Sequence, residues 1–347
     1  MSAAVAPDRD GGIDALRAYA IAGVVGGHWL VTGLVLGPDG VLRQSSPLAA
    51  MPAVAPVTWL FQTLGLFFFA GGYAATRSRR RRVLPRGLAR PLAALTGGWA
   101  LALGVAAALG VPAGTLRTIG TLVLSPLWFL LPYLALSAAT GPLIRLVDRA
   151  GPGVAVAGVA VVAVSDLAPV PVWVAVPAAW SVPWVLGVAL ARGRLGGGLP
   201  LAAGGAAGLA ILVGLLGYPV SAVGVPGAGR SNLDPPSLAA VALAAAQIGV
   251  FLMLRPRLRR ASDAVRAINR AALPIYLGHQ SVLVVVACTA ALVGSGAPGL
   301  LTAPDGPSWA LRRLAWLPVF AALLAAVVRL HPARTGGGRH AGRARSH

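Results

Sequence analysis

Residues 13–36 read IDALRAYAIAGVVGGHWLVTGLVL, a long apolar run interrupted only by Asp14, Arg17 and His28. About 20 such residues in a helix cross roughly 30 Å of hydrocarbon. Similar runs follow near 56–76, 91–110, 117–138, 153–168, 173–191, 199–217, 237–254, 271–294 and 312–330. The expectation is an all-α, polytopic membrane helix bundle with about ten transmembrane helices. Composition agrees, since 57% of the 347 residues are hydrophobic and 11% charged. Soluble domains carry about 25% charge, so a water-soluble body is excluded.

All 29 basic residues are Arg and all nine acidic ones are Asp. That excludes Schiff-base lysine and glutamate acid/base chemistry, and the bias points to a bacterium with a GC-rich genome. A net charge of +20 would suggest nucleic acid for a soluble chain. Here the arginines cluster between apolar runs, as at Arg77, Arg79 to Arg82, Arg86 and Arg90, so no nucleic acid partner is expected. With the N-terminus inside, 24 arginines fall on the inner side and five (Arg43, Arg117, Arg230, Arg312, Arg313) on the outer. Basic loops stay cytoplasmic, which predicts cytoplasmic N- and C-termini and a multi-pass protein of the cell (plasma) membrane. Residues 1–12 read as a cytoplasmic segment, 13–330 as the transmembrane domain, and 331–347 as a disordered basic tail. Cys288 is the one cysteine, so no internal disulfide is expected. No metal-ligand spacing is visible.

Arg17 and His28 stand eleven positions apart, about 1,100° and 16.5 Å along a helix. They therefore share a face, Arg17 near the cytoplasmic surface and His28 deeper. Ionisable groups at such depth are costly and usually face a cavity. Arg17 also reads as an anchor paired with Asp14, and His28 as a packing histidine. Gly23-x-x-x-Gly27 allows close approach of a neighbour. The stretch Phe67–Tyr73 reads either as lipid-facing aromatics with a glycine kink or as part of a site. Asp166 reads as a solvated aspartate at an outer turn.

Ile13-Asp14-x-Leu16-Arg17-x-x-Ala20-Ile21 ending at His28 resembles the first-helix signature of the membrane-bound acyltransferase-3 family. Phe67-Phe68-Phe69-Ala70-Gly71-Gly72-Tyr73 is similar to that family's second-helix segment, with Gly71 where the family has Ser. Arg86-x-x-x-Arg90-Pro91, Trp128-Phe129-Leu130 with Pro142-Leu143, and Leu273-Pro274-Ile275-Tyr276-Leu277-x-His279 follow in the family's order. The resemblance implies an O-acyltransferase with acyl-CoA, expected as acetyl-CoA, as donor substrate and no permanently bound cofactor. The acceptor would carry a hydroxyl on a glycan, glycolipid or secreted metabolite.

On this reading Arg17, Arg86 and Arg90 hold coenzyme phosphates, since Arg suits bidentate phosphate contacts. Arg17 and His28 form the catalytic pair. Hydrocarbon disfavours a charged imidazole, so His28 is expected neutral and able to act as general base. Tyr73 and His279 are the expected substrate-binding residues, His279 because it lies about 12 Å into its helix and can share a cavity with His28. A transporter or flippase using His28 as a proton relay is the competing class, and a non-catalytic scaffold the third.

Overall fold

The computed structural model describes residues 10–78, 87–258, 260–294 and 296–330. Arg86 and the tail 331–347 lie outside them, as does most of the 1–12 segment. The chain folds as α1 (Gly11–Val31), the strands β1 (Gly33–Leu36) and β2 (Leu42–Ser45), then α2 (Pro47–Ala50), α3 (Thr58–Phe61), α4 (Leu64–Arg77) and α5 (Ala89–Ala108). There follow α6 (Ala113–Leu124), α7 (Leu130–Ala150), α8 (Ala155–Leu167), α9 (Val172–Ala191) and α10 (Gly198–Gly214). The last elements are α11 (Leu238–Leu254), α12 (Asp263–Arg270), α13 (Ala272–Leu292) and α14 (Pro307–Leu330).

Among the described residues, seven helical stretches are long and apolar enough to cross a membrane. The other three expected crossings fall on charged α1, on the second part of the stretch Ala113–Leu167, and on the 17-residue α10. The first run ends earlier than hydropathy suggests. Its last residues, Gly33–Leu36, leave the helix and pair antiparallel with Leu42–Ser45 around a turn with Gly40 at φ 72°. Helical hydropathy and a buried strand look alike over so few residues.

Two glycine contacts set the centre of the bundle. A Cβ on Gly72 would sit 2.2 Å from the Trp184 carbonyl oxygen, and one on Gly187 2.1 Å from that of Phe69. α4 and α9 therefore cross backbone to backbone. Around that crossing Phe68 stacks on Trp180 (centroids 5.1 Å, 5°) and Phe69 meets Phe251 edge-on. Phe68 and Phe69 are fully buried, so these aromatics face the bundle interior and not lipid. A Cβ on Gly71 would lie 2.7 Å from the Trp184 ring and 2.9 Å from Tyr133, so these rings fill the space a serine would need.

Polar clasps close both ends. Asp10 caps α1 through the Ile13 N–H at 3.1 Å and accepts from Arg255 at 2.6 Å and from the Tyr73 hydroxyl at 3.1 Å. Burial alone would raise the Asp10 carboxyl, but the bonds from Arg255, Ile13 and Tyr73 hold it below its ordinary value. At the opposite end Asp166 accepts from the Tyr218 hydroxyl at 2.7 Å and the Leu238 N–H at 2.9 Å, and pairs with Arg230 at 3.4 Å. Its carboxylate is largely buried. Asp166 is thus a staple between α8 and the start of α11, because the chain after Tyr218 folds back over it, and not a solvated turn residue.

Candidate active site

His28 lies near the C-terminal end of α1, where the last carbonyls of a helix lack intrahelical partners. Arg313 of α14 supplies those partners. Its Nε donates to the Trp29 carbonyl at 2.6 Å, and its two terminal nitrogens to Thr32 at 2.5 Å and Gly299 at 3.2 Å. A cation at a helix C-terminus is favourable, and this one is 1% exposed. Arg313 therefore belongs to the buried interior and not to the outer basic loops. Gly23 and Gly27 admit Thr63 and Phe61 against α1, and the Thr63 hydroxyl donates to the Ala20 carbonyl at 2.8 Å. The close neighbour is thus the break between α3 and α4.

α13 brings His279 to His28. Their rings lie nearly parallel (13°) with centroids 5.0 Å apart, and His28 Nδ1 is 2.9 Å from His279 Nε2. Trp29 Nε1 donates to the His279 carbonyl at 2.9 Å, a second bond between the same helices. His279 Nδ1 lies 2.7 Å from the Tyr276 carbonyl oxygen. A carbonyl only accepts, so His279 carries its proton on Nδ1. In a neutral ring Nε2 then accepts, and His28 must donate from Nδ1. His28 Nε2 is left with its lone pair outward.

His28 lines a cavity of about 290 Å³ between α1, the segment 47–62, residues 126–129, Tyr276 and the start of α14. The lining is overwhelmingly apolar. Tyr276 sits at its edge, its hydroxyl bonded to the Pro126 carbonyl. A smaller void of about 20 Å³, lined by Ile21, Val24, Leu64, Phe67, Phe129 and Tyr276, adjoins it toward the start of α1. Arg17 is half-buried about one turn of α1 before Ile21 and acts electrostatically on Tyr133. Tyr133 in turn touches Phe67 and Phe129 with ring centroids 5.7 Å away in each case. Tyr133 thus joins the ring cluster that walls this void.

The other expected residues lie elsewhere. Tyr73 spends its hydroxyl on Asp10 at the start of α1, far along the helix from His28. Arg90 is exposed in the first turn of α5. Sequence reasoning missed Arg313 and Gln62. The second of two arginines at the start of an apolar run carried a signal for the first, and a single Gln inside the 56–76 run a faint one for the second.

A family model described as an acyltransferase domain matches residues 10–328, nearly the whole chain. No curated protein and no solved structure matches it. The elements that carry His28, His279 and the cavity all fall inside the matched region, and the chain belongs to the acyltransferase-3 family of membrane acyltransferases.

Proposed function

We propose that the protein transfers an acyl group from acyl-CoA, entering from the cytoplasmic side, to a hydroxyl of a second substrate. The observation that carries this is the His28–His279 pair, which leaves His28 Nε2 as an outward lone pair at a cavity wall. A general base needs that atom within hydrogen-bond reach of the proton it takes. The hydroxyl proton passes to His28 Nε2 as the oxygen attacks the thioester carbonyl carbon. The C–S bond breaks, the ester C–O bond forms, and the coenzyme thiolate receives the proton. His279 is a positioning residue, since it fixes the tautomer of His28 without touching substrate.

Arg17 lies beyond the small void, toward the end of α1 that the arginine asymmetry makes cytoplasmic. It suits coenzyme phosphates, with Arg90 and the 77–90 loop as further cations near that surface. A ten-span topology with both termini inside completes the picture. The test is release of free CoA by purified protein in lipid nanodiscs, given acetyl-CoA with and without a hydroxyl acceptor. Ester formation matched to CoA release supports the reading. Movement of a solute across proteoliposomes with the thioester intact would favour a transporter instead.

A further inference from the structure

The cavity beside His28 is poorly matched to a bare saccharide. Sugars carry a hydroxyl on most carbons, and each one buried without a partner costs about 1–3 kcal/mol. The wall offers chiefly Leu, Val, Met, Phe and Trp side chains. Its volume of about 290 Å³ corresponds to about ten groups of water or methylene size, at roughly 30 Å³ each.

Two observations say what fills it. The first is Gln62. It is 7% exposed, lines the cavity, and is held by its own Oε1 accepting from the Leu64 N–H at 3.4 Å, while its Nε2 has no partner among the described residues. That nitrogen has almost no accessible surface, so it reaches a ligand only when the Gln62 side chain turns into the cavity it lines, and an unpaired buried donor favours that turn. The second is the rim. Val54, Val57 and Trp128 are 37%, 49% and 42% exposed, and Val54 and Val57 belong to Pro52–Arg77, a stretch long and apolar enough to cross a membrane. An exposed apolar rim on such a stretch suits molecules that arrive dissolved in the bilayer.

We infer that the acceptor is a membrane-partitioning alcohol: a hydroxyl-bearing head on a hydrocarbon chain that lies in this cavity. Its reacting oxygen sits at His28 Nε2, a neighbouring oxygen accepts from Gln62 Nε2 once that side chain turns into the cavity, and its chain runs between α14 and the Pro52–Val57 segment toward lipid. The inference rests on the acyltransferase reading for its reacting end. On that reading the donor enters from the Arg17 end of α1, so the cavity serves the acceptor.

A 1,2-dodecanediol carrying a diazirine in its chain tests this in nanodiscs, with photolabelled peptides mapped by mass spectrometry. Labelling of residues 51–61 and 307–314, displaced by unlabelled 1,2-dodecanediol but not by 1,2-propanediol, is expected. Ala310→Phe, which fills the cavity, should abolish it. With acetyl-CoA as donor, kcat/KM should rise by at least about 10²-fold from propanediol to dodecanediol, because each methylene moved from water adds to binding. Gln62→Leu should lower the rate with dodecanediol while labelling persists. Labelling elsewhere, displacement by 1,2-propanediol, equal rates for the two diols, or displacement by decanoyl-CoA would each overturn the proposal. Intact labelling with no thioester consumption would remove the acyltransferase reading and leave the cavity assignment standing.

Discussion

α1 carries ionisable groups at both ends, and the two ends are built differently. At its start Asp10 accepts from both Tyr73 and Arg255, so the clasp holds three elements together and each of its polar groups has a partner within it. Near its other end His28 and His279 are linked in one direction only, down to the Tyr276 carbonyl, and leave a lone pair at a cavity where the Gln62 amide also lacks a partner. A closed polar cluster costs little to bury and serves stability. An open one is costly to bury and persists where a ligand completes it. Stability and catalysis should therefore come apart along a single helix.

The largest break in that comparison is expected at His28. Replacement by Gln keeps a hydrogen-bonding side chain but cannot take the proton, so kcat should fall by about 10²–10⁴ with donor binding retained. Single-turnover rates on monodisperse protein check it, and a near-normal kcat would remove the base assignment. His279→Phe should cost less, roughly 10–100-fold in kcat, by analogy with the loss of an orienting partner behind a functional histidine. Its distinguishing readout is the ¹⁵N NMR signature of His28, which should lose its fixed Nδ1–H tautomer. A merely packing His279 would leave that signal unchanged.

Arg17→Lys restores charge without the bidentate fork, so KM for acyl-CoA should rise by about tenfold while kcat holds. Arg17→Ala should raise it further, and an effect confined to kcat would contradict the phosphate role. The smallest effect belongs to the clasp. Because the folded-state Asp10 carboxyl is held below its ordinary value, its contribution is present above the unfolded carboxylate range near 4. It is lost as pH falls through the lower folded value. Asp10→Asn should therefore lower Tm by a few degrees at pH 7 and flatten the acid side of the Tm profile, with turnover per folded molecule unchanged. Loss of turnover at constant Tm would make the clasp part of the site.

The membrane character, most helix positions and the family were legible because a 20-residue apolar run and an ordered set of motifs are local signals. The pairing of His28 with His279 was visible only as a possibility, since no local pattern brings together positions 251 apart in the chain. Tyr73 illustrates the opposite difficulty. It lies within a family-like segment, yet its orientation depends on where Arg255 arrives from α11, which the sequence around Tyr73 does not encode. Asp166 looked solvated for the same reason, because the residues that cover it come from Tyr218 onward. The hairpin after α1 was hidden because Gly33–Leu36 continue the hydropathy of the helix. Gln62 stood out weakly, as one amide among apolar residues gives no periodicity.

The crossing at Gly72 and Gly187 has a mechanical consequence. Two helices in contact through their backbones have no layer of side chains between them that could repack, so α4 and α9 travel as one body. Displacement needed for a bulky alcohol to enter must then be taken up by elements on the far side of the chamber. α14 is suited to this: it carries Pro318, where one backbone hydrogen bond is missing and bending is easiest. The short Pro52–Val57 turn opposite it carries Pro52 and Pro56 and forms the other jaw. A disulfide joining those two segments should leave the fixed pair undisturbed and stop loading.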